Sequence, residues 1–101
     1  MRLGIFCYYN KAFKCFTSNF TLDDHEDKKV VFNVSREVSA KMVLGTYKDL
    51  KYLVLYRLGY FDDETGEFTA DKTLLLDLDD MIASFECKKE NIENERKEES
   101  K

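Results

Sequence analysis

Apolar side chains fill both alternating sets of positions in residues 52–61. Tyr52, Val54, Tyr56, Leu58 and Tyr60 form one set, and Leu53, Leu55, Arg57, Gly59 and Phe61 form the other. A strand with one solvated face alternates apolar with polar residues, so a segment apolar on both sides suits the middle of a sheet. The run Asp62-Asp63-Glu64-Thr65-Gly66 follows, then Phe68 and the apolar stretch 73–78. Asp at the start of a turn and Gly at its left-handed end predict a β-hairpin over these residues.

The rest of the chain has to cover that hairpin. Leu3, Ile5, Cys7 and Tyr9 alternate with Gly4, Phe6 and Tyr8, which predicts a first strand over residues 2–9. Phe13, Phe16 and Phe20 come next at wider spacing, which assigns no local structure. In residues 30–44, Val31, Val34, Val38 and Met42 recur three and four apart, with Arg36, Glu37 and Lys41 between them. Val30-Val31-Phe32 alone also suits a strand. Fifteen residues is long for a strand, so the spacing predicts a helix ending near Gly45. A second helix is expected from Asp79, with acids in its first turn, where the helix dipole favours them, and Met81, Ile82 and Phe85 on its apolar side. The expected fold is α+β: a small three-stranded, mainly antiparallel sheet with one middle helix and a C-terminal helix, in the order β-α-β-β-α. Residues 1–87 read as a single domain, and residues 88–101, where only Ile92 is apolar, as a charged helical extension or solvated tail.

Composition narrows the chemistry. At 101 residues, 44 % hydrophobic and 36 % charged, the chain has material for one core and a solvated surface. It has no Pro and no Trp, and eight Phe and six Tyr carry the aromatic content. Cys7, Cys15 and Cys87 are an odd number with no metal-binding spacing, and His25 is the single histidine. The cysteines read as structural, because a nucleophilic thiol wants an adjacent base. The N-terminal apolar run is too short for a signal sequence and no stretch is long enough to cross a bilayer, so the chain reads as cytoplasmic and reduced. The acidic turn 62–67 lacks the ligand spacing of a calcium loop, and Asp77, Asp79 and Asp80 read as cap and dipole partners at a helix start. No catalytic set, cofactor or metal is expected.

The net charge of −4 is unevenly placed. Residues 1–20 hold Arg2, Lys11 and Lys14 with no acid, whereas residues 62–80 hold eight acids against Lys72. The basic end is also aromatic, and Lys48, Lys51, Tyr52, Tyr56 and Arg57 add to it. Aromatic rings that stack bases beside cations that follow phosphates are the chemistry of single-stranded nucleic-acid binding. The same rings also have to supply the core of a chain without Trp. Tyrosines are favoured over phenylalanines for a wet surface, because the phenol tolerates water.

Residues 52–68, Tyr-Leu-Val-Leu-Tyr-Arg-Leu-Gly-Tyr-Phe-Asp-Asp-Glu-Thr-Gly-Glu-Phe, resemble a small nonstructural protein of gokushovirus-type microviruses, the small single-stranded DNA phages. The shared pattern is a leucine-tyrosine-x-leucine-glycine-x-phenylalanine-aspartate run closed by Thr-Gly, with a short apolar strand like Leu74-Leu75-Leu76 after it. The beginning, a short apolar strand followed by Asn10-Lys11-Ala12, is also similar. The segment 45–51 is shorter than its family counterpart and lacks its prolines. The resemblance implies a nonstructural, DNA-binding phage protein linked to genome replication or the switch to packaging. Together with the charge asymmetry, it sets the expectation of a non-enzymatic accessory protein of the host cytoplasm that binds single-stranded DNA as an oligomer. In that reading Leu58, Gly59, Phe61, Asp62, Thr65 and Gly66 are scaffold. Arg2, Lys11, Lys14, Lys48, Lys51 and Arg57 are expected to contact phosphates, and Tyr8, Tyr9, Tyr52 and Tyr56 to stack on bases. The rival expectation is an interaction protein whose acidic surface imitates DNA and inhibits a DNA-binding host protein.

Overall fold

The computed structural model describes the backbone of residues 1–99 and the side chains of residues 1–88. In chain order it contains β1 (Arg2–Asn10), β2 (Cys15–Asp23), α1 (Asp27–Leu44), a short 3-10 turn (Lys48–Leu50), β3 (Leu53–Asp62), β4 (Phe68–Asp77) and α2 (Leu78–Glu99). The strands form one sheet in the order β2-β1-β3-β4, and each neighbouring pair is antiparallel. The α+β class is as expected, but the sheet has four strands where the sequence pattern predicts three. Among the described residues no helix is long and apolar enough to cross a membrane. The expected solvated character of the C-terminal tail falls, from residue 89 onward, outside the described side chains.

The additional strand is β2, and its register explains why it is hard to read. Cys7 pairs with Phe20 and Tyr9 with Phe16, so β2 advances four residues while β1 advances two. The two extra residues bulge at positions 17–19 and stretch the spacing of the phenylalanines from two to four. An even insertion keeps Phe16 and Phe20 on the same face as Cys7 and Tyr9.

β3 is central, as its apolar faces require. Phe6 of β1 and Leu53 and Leu55 of β3 point to the helices, where they pack with Val30, Val38, Leu78 and Ile82. Val38, Leu78 and Ile82 are at most 1 % exposed, and burying such a side chain contributes about 1.5–3 kcal/mol. The inward stripe of α1 is Val30, Val34, Val38 and Met42, one residue out of step with the expected stripe at its start, where Val30 replaces Val31. Helix α1 stops where its sequence predicts. Gly45 takes a left-handed φ of 75°, and Thr46 N–H donates to the Lys41 carbonyl at 2.9 Å. At the start of α2, Asp77 Oδ1 accepts the Asp80 N–H at 3.1 Å, the capping role expected of this cluster.

A second irregularity redirects the far end of β3. Ile5 pairs with Gly59 but Phe6 with Arg57, leaving Leu58 unmatched and reversing the alternation beyond it. Tyr60 therefore shares the helix side with Arg57, whose guanidinium lies 4.7 Å from its ring centre. Phe61 turns to the opposite side, where its ring is 5.0 Å from Phe68. Simple alternation along residues 52–61 predicts the reverse for both. Gly59 makes this possible because β4 runs very close to it.

The hairpin turn forms as expected. Gly66 has a φ of 76° and donates its N–H to the Asp62 carbonyl at 2.8 Å. The Asp62 carboxylate accepts the N–H groups of Glu64 and Thr65 at 2.9 and 3.3 Å. The Glu64 N–H, above all, holds the Asp62 carboxyl below the usual carboxylate range, with further help from Thr65 and the Met1 amine.

Two outcomes are expected. A Cβ at Gly59 would sit 2.1 Å from the Thr69 carbonyl oxygen, so Gly59→Ala should cost about 3 kcal/mol in a urea titration. Because its folded pKa is depressed, Asp62 contributes stability above its unfolded pKa and loses it as pH falls through the folded value. Asp62→Asn should therefore flatten the acid limb of the stability profile and leave the limb above neutrality unchanged.

Candidate nucleic-acid interface

The helices lie on one side of the sheet only, and no described element packs over the other. That uncovered face is apolar and aromatic because β1 and β3 carry large residues at both alternating sets of positions. Tyr9, Phe16 and Tyr56 meet at its centre. Their ring centres are 5.1 Å (Tyr9–Phe16), 5.4 Å (Phe16–Tyr56) and 6.3 Å (Tyr9–Tyr56) apart, all edge-to-face. Register adds Phe20 and Leu22 from β2 and Leu74 and Phe68 from β4. Phe20 is 65 % and Phe68 74 % exposed. Lys72 adjoins the face, with Nζ 5.9 Å from the Tyr56 ring centre. Exposed Lys14 lies in the turn at the end of β1, with a φ of 56°.

The residues expected to contact DNA separate into distinct settings. Tyr9 and Tyr56 belong to the uncovered face, and Lys14 lies in the β1–β2 turn. Lys48, Lys51 and Tyr52 cluster at the 3-10 turn, where Lys51 pairs with Glu86 at 3.6 Å and reaches to 5.7 Å from the Tyr52 ring. This corner adjoins the end of β1, since Lys11 N–H donates to the Tyr52 carbonyl at 2.8 Å. The Lys11 ammonium itself bonds to Asp77 at 2.9 Å and Asp79 at 3.3 Å, and these contacts, Asp77 first, raise its pKa. It sits among the carboxylates of Asp77, Asp79 and Asp80, which otherwise come close enough together to hold a cation. Arg2 starts β1 on the helix side and stacks 3.7 Å above the Tyr60 ring.

Tyr8 and Arg57 lie on the helix side of the sheet, off the uncovered face. Tyr8 faces the helices, half-buried against the core, and burial together with nearby Glu37 raises its phenol pKa. Arg57 is 6 % exposed. Its guanidinium bonds to Asp27 at the start of α1, to Asp71 at 3.1 Å and to the Thr73 hydroxyl at 2.9 Å. It thereby ties β3 to both β4 and α1. Its Nε has no hydrogen-bond partner among the described residues.

The uncovered face also contains residues that the tyrosine preference passes over: Phe16, Phe20, Phe68 and Lys72. The wide spacing of Phe16 and Phe20 is the available signal, once it is read as a bulged strand. Among the cysteines, Cys7 is buried, with Sγ 3.3 Å from the Thr17 carbonyl oxygen, whereas Cys15 and Cys87 are exposed free thiols. Comparison with family models, curated proteins and solved structures finds no match for this chain.

Arg57→Lys keeps the charge but loses the planar fork that reaches three partners at once. The substitution should lower stability by about 2 kcal/mol in chemical denaturation. It should leave the uncovered face, and any binding there, intact in the folded protein.

Proposed function

We propose that this chain is a non-enzymatic accessory protein of a microvirus-type phage, binding single-stranded DNA on the uncovered face of its sheet. The observation that carries the reading is the concentration of aromatic rings on the one sheet face that the helices leave open. Stacking on such rings is sequence-tolerant, because every base has a π face. In this reading Tyr9, Phe16, Phe20, Tyr56 and Phe68 receive bases, and Lys14 and Lys72 contact phosphates. Lys48, Lys51 and Tyr52 extend the track at the 3-10 turn. With so few cations at the face, a single copy binds weakly. Several copies along one strand then supply the avidity. The resemblance of residues 52–68 to the microvirus protein supplies the setting: genome replication, or the switch to packaging, in the host cytoplasm.

The rival reading, an acidic mimic of DNA acting on a host protein, draws less from the geometry. Asp71 faces Arg57, Asp77 and Asp79 face Lys11, and Asp63 and Glu64 pair with the Met1 amine. Five of the eight acids in residues 62–80 are thus engaged within the molecule, which leaves less of the continuous negative surface that mimicry requires.

The test is fluorescence anisotropy with labelled oligodeoxythymidine across a salt series, with duplex DNA as the control. Phe20→Ala and Phe68→Ala should each weaken single-strand binding by about 5- to 150-fold, the equivalent of one lost stacking contact of about 1–3 kcal/mol. Their high exposure means that folding should change little. Lys72→Ala should reduce the logarithmic salt slope by about 0.7, the value for one phosphate on a single strand. Unchanged affinity in both phenylalanine variants, or no binding at low salt, contradicts the reading.

A further inference from the structure

A cleft of about 510 Å³ opens on the other side of the sheet, between β2 and α1. It exists because the inward-facing side chains of β2 are polar, so α1 has nothing apolar there to pack on. Thr17, Asn19 and Thr21 form one wall, Asn33 and Glu37 of α1 form the other, and Asp23 lies among them. The floor belongs to the hydrophobic core: Phe6, Val30 and Leu55 are buried, and Val34 and Tyr8 lie beside them. The cleft thus combines core-grade apolar surface with a rim of hydroxyls and amides, at a volume typical of small-molecule sites.

Its charge is one-sided. The charged residues lining it are Asp23 and Glu37, and no lysine or arginine is among the lining residues. Lys41 lies outside the cleft, 3.7 Å from Glu37 along the exposed side of α1. The Asp23 carboxylate is held ionised by the His25 backbone N–H at 2.8 Å and by the His25 ring. The Tyr8 phenol at the floor stays protonated, because burial disfavours its anion. Lys41 beside Glu37, and His25 and Lys29 beside Asp23, offset part of this charge from outside the cleft. A phosphate or carboxylate within it still meets acidic side chains and no basic one, which disfavours the nucleic-acid backbone there.

We infer that the β2–α1 cleft binds a small amphiphilic cation, with an apolar body resting on Phe6, Val34 and Leu55 and an ammonium group at the Glu37 end of the rim, beside Tyr8. Asn33, one turn before Glu37 on α1, and the β2 wall at Thr17 offer hydrogen-bond acceptors for the remaining ammonium protons. This site is independent of the uncovered sheet face and stands whether or not that face binds DNA.

The probes are 4-phenylbutylamine and 4-phenylbutyrate, which share one body and carry opposite charges. Each is titrated into the full chain and followed by amide chemical shifts in heteronuclear NMR. The amine should move the amides of residues 17–21 and 33–37 and saturate near about 1 mM, with the butyrate at least about tenfold weaker. Glu37→Gln, at an exposed position, should abolish most of that preference while the protein stays folded. Val34→Trp, which fills the cleft, should remove binding of both probes. Equal affinity for amine and butyrate, shifts confined to the uncovered face, or no shifts up to several times that concentration would each overturn the inference.

Discussion

The structure depends on the pairing of β1 with β3, two central strands that carry large apolar residues on both faces. Burying one face takes both helices, and the cluster of Phe6, Leu53 and Leu55 with Val30, Val38, Leu78 and Ile82 is the result. A chain of this length has no further element among its described residues to lay over the second face. Instead the rings of Tyr9, Phe16 and Tyr56 pack on one another edge-to-face. That packing shields Cys7 and Val54, which are only 2 % exposed although no helix lies above them. The uncovered face is therefore partly a self-made second core, with Phe20 and Phe68 left projecting from it. This exposed apolar area is the observation on which the proposed binding role rests.

Arg57 connects this sheet to its helices through charge. Removing a guanidinium from water is costly unless it is paired and hydrogen-bonded. Asp27, Asp71 and Thr73 supply that pairing from α1 and β4, and Tyr60 stacks alongside. The bulge at Leu58 brings Tyr60 into place, so the irregularity in β3 and the buried ion pair belong to one arrangement. The same bulge sends Phe61 to the aromatic side, where it meets Phe68.

Much of this was legible in the sequence, for identifiable reasons. The central strand, the Asp62–Gly66 turn and the Gly45 helix stop each rest on local chemistry: two-sided apolarity, an Asp side chain bonding its own turn, and a glycine at positive φ. The strand β2 was not legible, because two inserted residues hide its alternation. The reversal at Leu58 depends on the register with β1, which no local pattern encodes. The site was half legible. Tyr9 and Tyr56 follow from alternation, but Tyr8 and Arg57 look the same as they do until the helices choose a side. A clue to Arg57 was present, since it is the one charged residue in residues 52–61. A lone cation in the middle of a doubly apolar strand calls for buried partners more than for solvent.

Fluorine NMR of the chain with fluorotyrosine at its six tyrosines, titrated with oligodeoxythymidine, distinguishes the two faces of the sheet directly. Tyr8 and Tyr9 are neighbours in sequence on opposite sides of one sheet, so each serves as the control for the other. The Tyr9 and Tyr56 resonances are expected to shift on binding while that of Tyr8 stays in place. Shifts at Tyr8 without shifts at Tyr9 and Tyr56 would contradict binding on the uncovered face, because DNA would then be engaging the side of the sheet that the helices cover.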